Sequence, residues 1–215
     1  NRQSSIFNPM LLEVRNLKKF YPETSKPLSK TNGYKLAVDD ISFTLDKGET
    51  LSLVGESGCG KTTTGKLVLR LIEPTSGEIL FKGSSLMKLT KGEMRVKRKE
   101  MQIIFQDPYG SLNPRMTVSD IIGETFEIHE KKSKHEHRKA AAELLNKVGL
   151  SSSYLDHYAH EFSGGQRQRI CIARAIALKP EFIVCDEPIS SLDVSIKAQI
   201  INLLEELQKD YGISY

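Results

Sequence analysis

No stretch of this chain approaches the run of about 18 uninterrupted apolar residues that a membrane-spanning helix needs, so any membrane role must pass through a partner. Cysteine is scarce: Cys59, Cys171 and Cys185 are widely separated and odd in number, which excludes a disulfide framework and favours a reducing compartment. Internal repeats and low-complexity tracts are absent. The first nine residues lack the basic-then-apolar order of a secretory signal and read as a flexible leader. The net charge of +4 raises nucleic acid as a partner, and Lys88, Lys91, Arg95, Lys97, Arg98 and Lys99 do cluster. Glu93 and Glu100 interrupt that cluster and no aromatic residues interleave with it, so it reads as a solvated helix face and no nucleic acid is expected.

What remains is a chain of 215 residues, 39% apolar and 27% charged, long enough for one sizeable core with an inserted subdomain. Its strongest local signal is Gly55-Glu56-Ser57-Gly58-Cys59-Gly60-Lys61-Thr62, followed by Thr63. This fits G-x-x-x-x-G-K-[ST], in which glycines let backbone N–H groups approach phosphate, lysine reaches the terminal phosphates and a hydroxyl serves magnesium. A random chain of this length would contain the pattern with a probability of roughly 1%. The setting agrees: Thr50 to Val54 reads as a strand leading into the loop, and Thr62 to Ile72 as a helix with Leu67, Val68 and Leu71 on one side.

Around the loop, Leu11 to Val14, Leu36 to Leu45, Gly77 to Phe81 and Met101 to Phe105 read as strands, and Pro22 to Gly33 as a long loop. From Thr117 to Tyr158 the pattern turns helical, with Ala141, Leu144, Leu145 and Val148 at helical spacing before Gly149. Helices are also expected over Gln166 to Leu178 and over Ser195 to Lys209, the latter capped by Ser195 or a neighbour. Between them Phe182 to Cys185 reads as a buried strand ending at Asp186-Glu187. Apolar strands and helices around a phosphate loop imply a mostly parallel α/β sheet with phosphate chemistry at the carboxyl ends of its strands.

A second glycine-rich sequence, Phe162-Ser163-Gly164-Gly165-Gln166, resembles the signature of ATP-binding-cassette (ABC) ATPases. The order of motifs strengthens the resemblance: Lys61, then Gln106 after a strand, Ser163 in the signature, Asp186-Glu187 after an apolar strand, then Ser191-Leu192-Asp193. This is similar to Walker A, Q-loop, signature, Walker B and D-loop. The resemblance implies a P-loop NTPase core of ABC type, with an amino-terminal antiparallel β portion and an inserted helical subdomain. The corresponding divisions are 1–9 as leader, 10–106 and 164–215 as nucleotide-binding core, and 107–163 as Q-loop and helical subdomain with the signature.

By the same resemblance, ATP and Mg2+ are the expected ligands. Gly55 to Thr63 would hold phosphate, with Lys61 between the β- and γ-phosphates, Thr62 and Asp186 serving the metal, and Gln106 contacting the metal or the catalytic water and reporting on the membrane partner. Glu187 would face the attacking water as general base or orienting group. Tyr21 would stack on adenine, with Phe20 as the alternative. Ser163, Gly164, Gly165 and Gln166 would cap ATP held by a second nucleotide-binding domain, and Asp193 would sit at that interface. The family's switch histidine is not among His129, His135, His137, His157 and His160, which read as a solvated face rather than a metal site. The chain is therefore expected to stop before that histidine and to hydrolyse weakly.

The run Phe105-Gln106-Asp107-Pro108-Tyr109-Gly110-Ser111-Leu112-Asn113-Pro114-Arg115-Met116-Thr117-Val118 resembles oligopeptide and dipeptide importers more narrowly; nickel importers share much of it. It implies polytopic membrane subunits as partners, an extracytoplasmic solute-binding protein indirectly, and a cytoplasmic location on the inner face of the membrane. Tyr109 and Leu112 suit a groove for a membrane-subunit helix. The rival reading is a soluble ABC-type ATPase acting on nucleic acid or ribosomes.

Overall fold

The computed structural model describes residues 10–22, 33–130, 133–190 and 192–215. The leader 1–9, most of the 22–33 loop, Lys131, Lys132 and Ser191 lie outside the described residues. The chain divides into two compact units, residues 1–94 with Ser214, and residues 95–213 with Tyr215.

The first unit is built on an antiparallel sheet. Strand β1 (Met10–Pro22) is flanked by β2 (Tyr34–Asp46) and β3 (Ser76–Phe81), and β3 pairs with the short β4 (Ser84–Ser85), giving the order β2-β1-β3-β4. Leu12, Val14 and Leu17 are buried along β1, and in β2 Ile41, Phe43 and Leu45 share the less exposed face. Both strands carry a kink. Asn16 (φ 46°) and Asp40 (φ 51°) take left-handed backbone, and their side chains meet, Asn16 Nδ2 donating to Asp40 Oδ1 at 3.2 Å. Asn and Asp tolerate this conformation better than other residues with side chains, so the bulge falls where the sequence permits it. Helix α1 (Lys61–Val68) follows the phosphate loop, and the division between the units falls within α2 (Lys91–Lys97).

The second unit holds a parallel pair, β5 (Met101–Ile104) beside β6 (Phe182–Cys185), in register from Met101↔Phe182 to Ile104↔Cys185. Its helices are α3 (Pro108–Ser111), α4 (Val118–His129), α5 (Lys134–Lys147), α6 (Gly164–Ile176) and α7 (Val194–Tyr211). Three of them begin with reciprocal caps: Thr117 with Asp120 for α4, Ser133 with Glu136 for α5, and Ser163 with Gln166 for α6. Each such box satisfies two amide groups that a helix start would leave open. Their apolar faces, with Ile122, Leu145, Ile170, Ile172 and Ile200 fully enclosed, form one continuous core.

Several expectations are corrected. Among the described residues the larger sheet is antiparallel and the parallel one has two strands. Thr50 to Val54 belongs to no strand, and Leu51, Leu53 and Val54 are solvent-exposed. Its residues favour extended backbone, but a strand exists only with a ladder beside it. Helix α1 stops at Val68, because Arg70 turns to φ 47° and its Nη1 donates to Leu86 O and Leu89 O, both at 2.7 Å; Leu71 is left exposed. The last helix is capped from Asp193, with no side-chain bond to its amides. His137 is buried and stacked on Phe126 at 5.6 Å rather than solvated, and Leu112 is in the core, so it cannot line a groove.

Candidate functional site

The phosphate loop belongs to the first unit. Gly60 is the N-cap of α1 at φ 103°, and a Cβ there would stand 2.2 Å from the carbonyl oxygen of Ala37 in β2. Only glycine satisfies both the backbone conformation and the contact. Thr64 locks the turn from inside, its N–H and hydroxyl donating to Gly60 O at 2.8 and 3.0 Å. Lys61 Nζ donates to Gly55 O and Glu56 O at 2.8 Å each, so the ammonium is folded back across its own loop. Gly55, Glu56, Ser57, Gly58 and Cys59 are exposed, and Gly60, Lys61, Thr62 and Thr63 half-buried. The first turn of α1 contains no acidic residue. Bare glycine backbone at a helix start, with a lysine and two threonines, fits a phosphate chain.

Strand β2 ties the loop to the aromatic candidate. Tyr21 pairs with Lys35 in the β1–β2 ladder, and Ala37, which abuts Gly60, is two residues or about 7 Å further along β2. Tyr21 is partly exposed, and Lys19 Nζ lies 5.0 Å from its ring centroid. A hollow of about 330 Å³ lies beside the loop, lined by Leu36, Ala37, Val38, Cys59 and Thr64 among others. The alternative, Phe20, pairs with Leu36.

The carboxylate candidates belong to the second unit. Parallel register at Ile104↔Cys185 carries the chain past both strand ends in step, and Asp186 N–H donates to Ile104 O at 2.9 Å. Two residues beyond that register pair stand Gln106 and Glu187, joined by a hydrogen bond from Gln106 Nε2 to Glu187 Oε2 of 2.9 Å. Glu187 is held at φ 46°, a conformation costing a residue with a side chain roughly 1–2 kcal/mol. Strain of this kind concentrates at functional positions. Asp186 is half-buried between them in sequence, while burial pushes the neighbouring Cys185 thiol up to about 12, so that sulfur stays protonated.

The signature opens α6 in the same unit. Ser163 Oγ accepts from Gln166 N–H at 3.4 Å, and Ser163 N–H donates to Gln166 Oε1 at 3.0 Å. Gly164 and Gly165 form the first turn without side chains. A Cβ on Gly165 would meet Ile196 Cγ2 at 2.8 Å, and one on Gly164 would meet Leu192 at 3.6 Å. The signature is therefore packed against the start of α7, whose N-cap is the exposed Asp193.

A family model described as ABC transporter matches residues 38–190. The chain belongs to the ABC transporter family. Among curated relatives it is 52% identical over 206 residues to the oligopeptide transport ATP-binding protein AppF of Bacillus subtilis, covering 95% of this chain and 63% of AppF. It is 55% identical over 208 residues to OppF of the same organism, also an oligopeptide transport ATP-binding protein, covering 95% of this chain and 66% of OppF. The chain thus spans slightly under two thirds of the length of these relatives. Among solved structures, the ATP-binding cassette MJ0796, a dimer in a post-hydrolysis state bound to ADP and Pi, aligns with a TM-score of 0.81 at 28% identity, over 95% of this chain and 85% of that one. The ABC fold expected from the motif order is thus the fold observed.

Sequence reading missed the kink at Glu187, which no pattern announces, and the self-capping of the signature, which Ser163 and Gln166 at the spacing S-x-x-Q do announce.

Proposed function

We propose that this ABC chain is an ATPase that powers a membrane importer of oligopeptides, dipeptides or a related small solute. The observation that carries the reading is the hydrogen bond between Gln106 and Glu187 at the joint carboxyl end of β5 and β6. A carboxylate strained into place beside an amide that orients it is suited to direct a water molecule. ATP is bound on Gly55 to Thr63 with Tyr21 against the adenine. By the resemblance, Thr62 of the first unit and Asp186 and Gln106 of the second would each serve Mg2+, which would neutralise phosphate charge. The exposed start of α6, from Ser163 to Gln166, caps the nucleotide of a second nucleotide-binding domain, with Asp193 at the shared surface.

The arrangement of domains follows the same reading, with 10–106 and 164–215 as the nucleotide-binding core and 107–163 as the helical arm. The importer assignment rests on the similarity to AppF and OppF. No helix among the described residues is long and apolar enough to cross a membrane. The same reading gives polytopic partners at the cytoplasmic face, with a solute-binding protein on the far side.

The test is Mg2+-dependent release of phosphate from ATP by the purified chain, joined to affinity capture from solubilised membranes. Hydrolysis and recovery of a polytopic membrane protein support the reading. No nucleotide binding, or recovery of RNA in place of membrane subunits, would overturn it.

A further inference from the structure

The segment that follows Gln106 is fastened to the signature helix and to the turn that precedes it. Arg174 Nη1 donates to Ser111 O at 2.6 Å, Ser111 Oγ meets Cys171 Sγ at 3.3 Å, and His160 Nδ1 lies 3.4 Å from Pro114 O. One fastening differs from the others. Arg167, in the second turn of α6, is buried, with 6% of its surface exposed. Its Nε donates backwards to Ala159 O at 2.7 Å and its Nη2 to His160 O at 2.8 Å, the two carbonyls of the single turn that leads into Phe162 and Ser163. Its Nη1 is buried without a hydrogen-bond partner. The face of Tyr109 covers it, the guanidinium carbon standing 3.6 Å from the ring centroid. Tyr109 itself is 65% exposed.

A buried cation with an unsatisfied donor is costly, and a π face held at contact distance offsets part of that cost where no acceptor is available. The planar fork explains why arginine occupies the position: two donors are spent on adjacent carbonyls while the plane lies against the ring.

We propose that Arg167 is a positioning residue for the signature, and that Tyr109 is the cover that keeps it in place. With the ring present, the guanidinium holds the turn at Ala159 and His160, and the turn fixes where Ser163, Gly164 and Gly165 present the start of α6. With the ring displaced, water reaches Nη1, the fork leaves the carbonyls and the signature loosens. Whatever contacts Tyr109 from outside therefore controls the order of the signature about one helical turn away from Arg167.

Hydrogen exchange on the whole chain tests this without nucleotide or partner. In Tyr109→Ala, amide exchange across 159–166 should rise at least tenfold while α5 and α7 stay within twofold. Tyr109→Phe should match the parent, since it keeps the ring. Arg167→Ala should reproduce Tyr109→Ala, and combining the two should add no more than twofold, the non-additivity expected of one linked unit. Tyr109 is exposed, so its variants fold even if Arg167→Ala does not. Unchanged protection in Tyr109→Ala, or additive effects in the double variant, would overturn the proposal. A second readout rests on the function proposed above: in a Glu187→Gln background, Tyr109→Ala should weaken ATP-driven dimerisation at least tenfold while nucleotide affinity stays within twofold. If the Glu187→Gln parent forms no ATP-driven dimer, the proposed function fails, and the exchange result still decides the role of Arg167.

Discussion

Gln106 donates from Nε2 to Glu187 Oε2 across 2.9 Å, joining two residues 81 positions apart in sequence. Parallel strands make the meeting automatic: once Ile104 is level with Cys185, the residues two further on emerge together at the same edge. An antiparallel pairing of the same strands would send them to opposite ends. The bond therefore depends on the parallel register, and it also ties the candidate base to the segment leading to Tyr109.

If Glu187 directs the attacking water, Glu187→Gln should lower kcat for ATP by about 10²–10⁴-fold, the usual share of a positioned acid or base, and leave nucleotide affinity nearly unchanged. Phosphate release measures the first and a fluorescent-nucleotide titration the second. Equal turnover in the two proteins would exclude Glu187 from that role.

Lys61 bridges the carbonyls of Gly55 and Glu56 and stands at the start of a helix with no acid in its first turn. Phosphate held there should stabilise the fold, by about 2.7 kcal/mol at a hundredfold excess of ligand over its dissociation constant. That corresponds to a rise in Tm of roughly 5–11 °C for a chain of this size. Lys61→Ala should lose most of the rise with ATP and Mg2+ while its Tm without nucleotide stays close to the parent's. A full shift in the variant would remove Lys61 from the site.

Motifs that act through backbone and spacing were legible in the sequence. The helix after the phosphate loop and the apolar strand ahead of Asp186 each state their local geometry, and the structure keeps both, whereas the S-x-x-Q start of α6 was equally readable and was passed over. What escaped depends on residues far apart. Thr50 to Val54 has the composition of a strand and no ladder, because pairing is a property of two segments and not of one. His137 stands in a run of charged residues, yet its position on α5 turns it against Phe126 of α4, where Gly123 leaves room. Leu112 lies between half-buried Ser111 and exposed Asn113 and is drawn into the core, whereas Tyr109, three residues earlier, stays outside.

The His129 imidazole is held below the usual histidine range, first by burial and then by the nearby Lys99 and Arg95. Lys99 Nζ donates to the His129 carbonyl at 2.7 Å and Arg95 Nη2 approaches Ile128 O at 3.4 Å, so the two cations are fixed at the end of α4. The folded state then binds fewer protons than the unfolded chain over the interval just below the ordinary histidine pKa of about 6.5. Stability from this group is complete at higher pH and is lost as pH falls through that interval. Urea midpoints at pH 7.5 and 5.5 should differ more in the parent than in His129→Gln. An identical pH dependence in both would show that His129 does not contribute.

Two serines carry the same cap on different helices, and the comparison separates stability from function. Ser133 closes a box with Glu136 at the start of α5, and Ser163 closes one with Gln166 at the start of α6. Replacing either by alanine removes an acceptor from the first turn and should cost about 0.5–2 kcal/mol, or roughly 1–8 °C in Tm for a chain of this size. Their functional consequences should diverge. The start of α5 has no proposed contact with nucleotide, so Ser133→Ala should hydrolyse ATP and dimerise as the parent does once the assay is run well below its Tm. Ser163 also stands where the second domain's phosphates are proposed to meet α6, so Ser163→Ala should in addition lose ATP-driven association, measured by sedimentation in the Glu187→Gln background. Matched losses of Tm with unequal losses of dimer identify the start of α6 as a contact surface. Equal behaviour in both assays would reduce Ser163 to a helix cap and leave Gly164 and Gly165 as close-packing residues against α7.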